Sequence, residues 1–206
     1  MPNVDWRRLP WQLRYRVLGQ LASDARRLTI LATHRHGTVR FHGSVHIGPG
    51  FELVMPDNGS FIVGSGVDFR RRFACEIGGD GKVEIGNGTA FTSDVYIQCS
   101  TSITIGERSA FGQAVQIADG NHRFRDPDLN FLDQGYVFNP ITIGSGVAVY
   151  SKSTIVADVG DHAVIATGSV VTKPVPPYCF VGGAPARILE YFGPPELRPE
   201  GIEPGR

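Results

Sequence analysis

Apolar residues recur along this chain with a period of six. Six aliphatic–glycine pairs mark it: Ile47-Gly48, Val63-Gly64, Ile85-Gly86, Ile105-Gly106, Ile143-Gly144 and Val159-Gly160. Four places after each aliphatic stands a small or apolar residue: Phe51, Val67, Thr89, Ser109, Val147 and Ala163. Six places after it comes another large apolar one: Leu53, Phe69, Phe91, Phe111, Val149 and Ile165. Six is not the period of a helix, and it is too long for simple strand alternation. It fits an all-β solenoid whose six-residue sides each send one large residue inward before turning a corner. Glycine suits such a corner because it accepts positive φ without a Cβ penalty.

The pairs begin at 47, 63, 85, 105, 143 and 159, so the gaps are 16, 22, 20, 38 and 16 residues. All but one lie close to three sides of six. The gap from 105 to 143 holds a coil plus a loop, and loops longer than about 12–15 residues inside a compact fold are usually functional or disordered. Residues 118–140 are therefore marked before any chemistry is considered. Residues 1–40 read as an N-terminal helical segment, with a helix over 9–27. Pro10 suits its first turn, and Trp11, Val17, Leu18, Leu21 and Leu28 form an apolar stripe among arginines. Residues 41–182 read as the solenoid. Pro174, Pro176 and Pro177 are expected to end its regular repeat, since proline cannot donate to a ladder. Residues 183–206 read as a cap and loose tail, with one closing turn of helix over 186–191 to cover the last coil.

Composition refines this picture. The chain has 26 glycines, and those of the solenoid fall in register with the repeat, so they mean turns and not disorder. The net charge of zero hides an asymmetry: residues 1–40 hold eight arginines against Asp5 and Asp24, a balance of +6, which leaves −6 for the remainder. A basic start can form a solvated helix face, meet another subunit or touch a membrane surface peripherally. Zero net charge and the lack of a recurring basic-aromatic pattern argue against nucleic acid as a partner. Cys75, Cys99 and Cys179 show neither metal spacing nor a disulfide framework. No apolar run reaches the length of a membrane span, and no signal-peptide core opens the chain. A reduced, cytoplasmic protein is expected.

The chemistry gathers in Ile117-Ala118-Asp119-Gly120-Asn121-His122-Arg123, where the repeat breaks into its long loop. A lone histidine is most often a polar surface residue. Here Asp119 and Asn121 stand beside it as groups able to fix its tautomer, which makes His122 a candidate acid–base group.

These repeats, the Asp119–Arg123 segment and two later runs together resemble the hexapeptide-repeat acyltransferases. The runs are Gly168-Ser169-Val170-Val171-Thr172-Lys173-Pro174 and Gly182-Gly183-Ala184-Pro185-Ala186-Arg187. The resemblance covers roughly residues 45–191 and is nearest to the sugar O-acetyltransferase and xenobiotic acetyltransferase branch. It implies a left-handed parallel β-helix, an exception to the right-handed crossover preference. It also implies homotrimers with acetyl-CoA, the acyl donor, in a groove between neighbouring helices, and no metal. His122 matches the family's general base, with Asp119 and Asn121 in support. Ser151 matches a position along the pantetheine arm, Thr167 and Thr172 positions near the pantetheine and adenine ends of CoA, and Lys173 and Arg187 basic residues that meet the CoA phosphates. The implied activity is acetyl transfer to a hydroxyl of a sugar or glycan precursor, or alternatively of an antibiotic or other xenobiotic.

The chain departs from the pattern at Ala148, where many relatives have Trp, and at Gly120, where many sugar-acetylating relatives have a histidine. Thr92 and Ser100 stand where galactoside relatives hold acceptor-binding polar residues, and that role is not carried over. The loop 123–138, with Arg125, Asp126, Asp128 and Asp133, reads as polar enough for a sugar. A zinc enzyme like the γ-class carbonic anhydrases needs three converging histidines, and only His122 and His162 lie in the later coils. A β-helix serving only as a scaffold is a further alternative, against which the Lys173 and Arg187 pair argues.

Overall fold

A strand only a few residues long can satisfy its backbone in this repeat by pairing with the same side of the next coil. The computed structural model, which describes residues 17–202, has this arrangement. Three parallel sheets form the faces of a prism. The first face stacks Thr38–Phe41, Ser60–Val63, Lys82–Ile85, Ser102–Ile105 and Ile141–Ile143. The second stacks seven parallel strands, from His46–Ile47 to Cys179–Gly182, and the third six, from Glu52–Val54 to Val170–Val171. Register is strict. Ile47, Phe69, Phe91, Phe111, Val149 and Ile165 form one inward row on the second face. The Phe91 ring stacks between Phe69 at 5.2 Å and Phe111 at 4.9 Å. Such rows exclude water along the whole axis and supply the apolar burial that holds the coils together.

The corners differ from expectation in two ways. Val63, Ile85, Ile105, Ile143 and Val159 share one row on the first face. Ile47 does not: it pairs with Phe69 on the second face, and Phe41 opens the first-face row opposite Val63. Nor do the glycines after these aliphatics adopt positive φ. They are required by close approach. A Cβ on Gly86 would lie 2.6 Å from the Glu107 nitrogen, and one on Gly106 2.5 Å from the Gly144 carbonyl carbon. The left-handed residue comes two places later, at Gly50, Gly66, Gly88, Arg108, Gly146 and His162. His162 is thus a corner residue, stacked on Tyr178 with ring centroids 4.9 Å apart.

The N-terminal helix runs over Gly19–Thr33. It continues past the expected end at 27 because no breaker occurs before Gly37; Pro10 and Trp11 lie outside the described residues. Its apolar stripe also faces the other way. Ser23 and Ile30 are buried, while Leu18, Leu21 and Leu28 are exposed. The polar side turns inward to cap the carbonyls of the first coil. Arg26 donates to the Ile47 carbonyl at 2.9 Å, and Arg27 to Gly43 and Phe41 at 3.0 Å each. Those acceptors would otherwise be the open end of the ladder.

At the far end, Val175 still bridges Val159, and Cys179–Gly182 still pairs in parallel, so the three prolines flank the last coil without stopping it. Residues 186–191 are not a helical turn. Arg187–Tyr191 is a strand, antiparallel to Cys179–Gly182, because pairing covers that sheet's edge where a helix would leave its backbone groups open. One 3-10 turn follows at Pro195–Leu197. Among the described residues no helix is long and apolar enough to cross a membrane.

Candidate active site

The long loop leaves the prism at the corner after Gln116–Ala118 and returns at Ile141. It has structure of its own: Gly120–His122 pairs with Tyr136–Phe138 as an antiparallel hairpin, and Phe131–Asp133 forms a 3-10 turn. Gly120 fits because the Phe138 ring lies over it and leaves no room for a Cβ. That contact gives a physical reason for the departure at this position. Gln134 holds the loop interior. Its oxygen accepts from the Asp126 nitrogen at 3.0 Å, and its amide donates to the Asp126 and Leu129 carbonyls at 2.9 Å each. Asp126 in turn accepts from the Asp128 nitrogen at 3.0 Å. Of the four polar residues marked in this loop, Asp126 has its side chain engaged within it.

His122 stands directly across the hairpin from Tyr136. Its ring packs against Tyr136 at 4.2 Å and edge-on to Phe131 at 5.3 Å. Two aromatic walls fix the imidazole, and neither was marked by spacing; their only signal is strand alternation within a short segment. The Nδ1 atom is buried and has no hydrogen-bond partner among the described residues. An unpaired polar atom shut away from water costs about 1–3 kcal/mol, so it marks this ring for a partner. Beside it opens a cleft of about 630 Å³ lined by His122, Arg123, Arg125, Asp126, Asp133 and Gln134, with Phe124, Leu129 and Val137 as its apolar part.

Asp119 does not serve the histidine. Its buried carboxylate accepts from the backbone of Ser100 at 2.8 Å and of Thr101 at 2.6 Å, and from the Thr101 hydroxyl at 2.8 Å. It anchors the loop root to the preceding coil, and so Ser100 is part of that anchor. Burial, with Asp119 beside it, pushes the Cys99 thiol up to about 12. Asn121 is exposed opposite Val137. Thr92 lies on a second-face strand, with its hydroxyl buried and unpaired among the described residues.

The other candidates fall into two groups. Ser151 and Thr167 occupy equivalent places two residues past the paired Val149 and Ile165, at the corner between the second and third faces. The Ser151 hydroxyl accepts from the Gln113 nitrogen at 3.2 Å, and Tyr150 beside it is exposed, while Ala148 pairs with Ala110 and Val164. Thr172 and Lys173, both exposed, follow Val171 toward the corner between the third and first faces. Register places Lys173 at the position Asp119 holds two coils earlier. The Ala186 nitrogen donates to the Val170 carbonyl at 2.8 Å, and the exposed Arg187 pairs with Gly182 on the second face, beside the corner that Ser151 and Thr167 hold in earlier coils. Lys173 and Arg187 thus both belong to the last coils but stand at different corners of the prism. Ser151 and Thr167 are set off from the His122 corner by a full side, about 20 Å at ordinary strand rise.

No family model matches the chain. It is similar to a probable acetyltransferase of Mycobacterium tuberculosis, 25% identical over 151 residues, which span 72% of this chain and 50% of that protein. It is also similar to the galactoside O-acetyltransferase of Escherichia coli, 31% identical over 109 residues, 52% of this chain and 53% of that one. The chain thus spans about half the length of these curated relatives. Among solved structures it is similar to a hexapeptide-repeat acetyltransferase of Vibrio cholerae complexed with acetyl-coenzyme A. There the TM-score is 0.58 at 22% identity, over 86% of this chain and 82% of that one. An N-acyltransferase of Bacillus cereus in complex with dTDP and coenzyme A gives a TM-score of 0.57 at 12% identity, over 80% and 88%. These likenesses show the fold, a left-handed parallel β-helix of hexapeptide repeats.

Proposed function

We propose that this chain, which has the fold of the hexapeptide-repeat acetyltransferases it is similar to, is an acetyl-CoA-dependent O-acetyltransferase with His122 as general base. The observation that carries this reading is the placing of His122: clamped by Tyr136 and Phe131 at the wall of a cleft, with its Nδ1 unpaired among the described residues. An alcohol holds its proton at neutral pH and is a poor nucleophile. A ring nitrogen of His122 takes that proton as the hydroxyl oxygen attacks the thioester carbonyl. The tetrahedral intermediate then collapses, the carbon–sulfur bond breaks, and the CoA sulfur leaves with the proton returned from the imidazolium. General-base help of this kind is worth about 10²–10⁴-fold. No covalent enzyme intermediate is required, which suits three cysteines that are all buried.

Lys173 and Arg187, with Thr172, are proposed to hold the CoA phosphates, Lys173 as a point charge and Arg187 as a fork. Ser151 and Thr167 are proposed to line the pantetheine path. A full side of the prism separates that corner from His122. A homotrimer, in which the Ser151 corner of one copy faces the His122 loop of its neighbour, reconciles the two. A measured mass near three times 22.4 kDa supports it, and full activity in a monomer contradicts it.

The acceptor is proposed to be a sugar or glycan precursor, in keeping with the galactoside relative. The apolar part of the cleft, Phe124, Leu129 and Val137, favours the second reading, a xenobiotic hydroxyl on a partly apolar body. Acetyl transfer assayed in parallel on hexoses and on apolar alcohols separates them, since one class should exceed the other in kcat/KM by orders of magnitude.

A further inference from the structure

The N-terminal helix turns its polar side to its own β-helix and its apolar side outward. Val17, Leu18, Leu21 and Leu28 are 51%, 54%, 61% and 68% exposed, and Ala25 and Ala32 are exposed as well. At 100° per residue these six fall on one face, opposite Ser23, Arg27 and Ile30. Among the described residues nothing packs on that face. Four leucine and valine side chains left in water are too many for a solvated helix surface and mark a contact.

Charge decides what makes the contact. Among the described residues the outward face carries no basic side chain of its own, and the sequence on either side of it is rich in cations. In sequence, Arg7, Arg8, Arg14 and Arg16 precede the helix and Arg35 and Arg40 follow it, with Asp24 the only acid between Arg7 and Arg40. Arg26 and Arg27 bond to backbone carbonyls, so their charges are not neutralised by carboxylates. Beside the first turns of the helix lies a cleft of about 330 Å³ whose polar lining is Arg26, His46, Arg70 and Arg71. Of these, Arg70 pairs with Asp68 at 3.2 Å. Joining this face to a second copy of itself would bring two segments of +6 together. An apolar strip inside a cationic surround instead matches a sheet of acyl chains beneath anionic headgroups.

We propose that the outward face of the Gly19–Thr33 helix docks on an anionic lipid bilayer, with Leu18, Leu21 and Leu28 entering the headgroup–acyl boundary and the Arg26–Arg71 cleft receiving a lipid phosphate. Arg26 and Arg27 stand on the same helix, so their charges lie within about a helix diameter of that boundary, comparable to the Debye length of about 8–10 Å, and act on the surface without penetrating it.

The test uses the full chain and vesicles of phosphatidylcholine mixed with phosphatidylglycerol, against vesicles of phosphatidylcholine alone, read by flotation. The parent should float with the mixed vesicles, lose them as salt is raised, and bind neutral vesicles at least about tenfold more weakly. Leu21→Gln with Leu28→Gln alters two exposed residues of good helix propensity and should leave the melting temperature unchanged while lowering binding at least about tenfold. Arg71→Gln should weaken binding to mixed vesicles and leave neutral ones unaffected. Failure of the parent to float with mixed vesicles overturns the proposal, as does equal binding by the leucine double variant. Should the double variant lower the sedimenting mass while the parent ignores vesicles, the face joins copies of the chain and the lipid proposal is wrong.

Discussion

The Thr101 backbone nitrogen donates to the Asp119 carboxylate at 2.6 Å, and this bond ties the root of the histidine-bearing loop to the coil before it. The carboxylate takes further bonds from the Ser100 nitrogen and the Thr101 hydroxyl, so both its oxygens are used as acceptors. Replacing Asp119 by Ala should therefore lower stability by about 2–4 kcal/mol, since hydrogen bonds to a charged group are worth about 1.5–3 each and are not additive. Asn should rescue little, because its amide turns a donor toward donors. Calorimetry reads the loss, and proteolysis within 123–135 should accelerate. Parent-like melting of both variants would show that the anchor is not structural.

The corner glycines and the left-handed residues beyond them should respond oppositely. Gly106→Ala places a methyl 2.5 Å from the Gly144 carbonyl carbon and should cost more than about 2 kcal/mol. Arg108→Gly relieves a positive φ of 55° and loses backbone entropy, so its effect should stay within about 1 kcal/mol of zero. Thermal melts of the two variants give the comparison. Equal melting temperatures would contradict the close-approach account of the glycines.

The spacing of apolar residues carried the fold because each inward row repeats once per coil, as Val63, Ile85, Ile105 and Ile143 do. What it hid is instructive. Ile47-Gly48 carries the same dipeptide at a different corner, because Phe41 replaces the aliphatic in the first coil. The leucine stripe of the helix indicated a helix but not its facing: capping open carbonyls needs Ser23, Arg26 and Arg27 inward, and that demand outweighs burying leucine. His122 was marked by standing at the break in the repeat. Tyr136 and Phe131, which clamp it, come from the returning half of a hairpin that no repeat predicts. Asp119 was legible as important but not in its role, since sequence proximity to His122 says nothing of the backbone nitrogens of Ser100 and Thr101 a coil away.

The cysteines offer a check on the covalent-free chemistry. Cys75, Cys99 and Cys179 are buried, and burial raises all three thiols, Cys99 to about 12. A thiol raised in the folded state favours the protonated form there. Its contribution to stability is fully present below the ordinary thiol range, about 8.5, and is lost as pH climbs through that range toward the folded value. Native protein at pH 7 should react with fewer than one equivalent of a thiol reagent, and urea-unfolded protein with three. Activity should survive the native treatment. Rapid native modification with loss of turnover would restore a catalytic thiol.

Changing Lys173 and Arg187 together to Ala should weaken acetyl-CoA binding by about one and a half to three orders of magnitude, as expected for two exposed charge-assisted contacts. The loss should appear in the KM for acetyl-CoA, with kcat little changed, because phosphates far from the thioester interact alike in ground and transition states. Raised salt should weaken binding to the parent more than to the double variant. Unchanged affinity by calorimetry would remove both residues from the CoA site.

The central claim is acetyl transfer by a histidine clamped between Tyr136 and Phe131. The direct measurement is release of free CoA from acetyl-CoA in the presence of a panel of hexoses and apolar alcohols, compared between the parent and His122→Ala. The parent should release CoA in step with acetylation of one acceptor class. The variant should bind acetyl-CoA normally by calorimetry while its kcat falls about 10²–10⁴-fold. A variant that transfers acetyl at near the parent rate would contradict the account, as would a parent that does not bind acetyl-CoA.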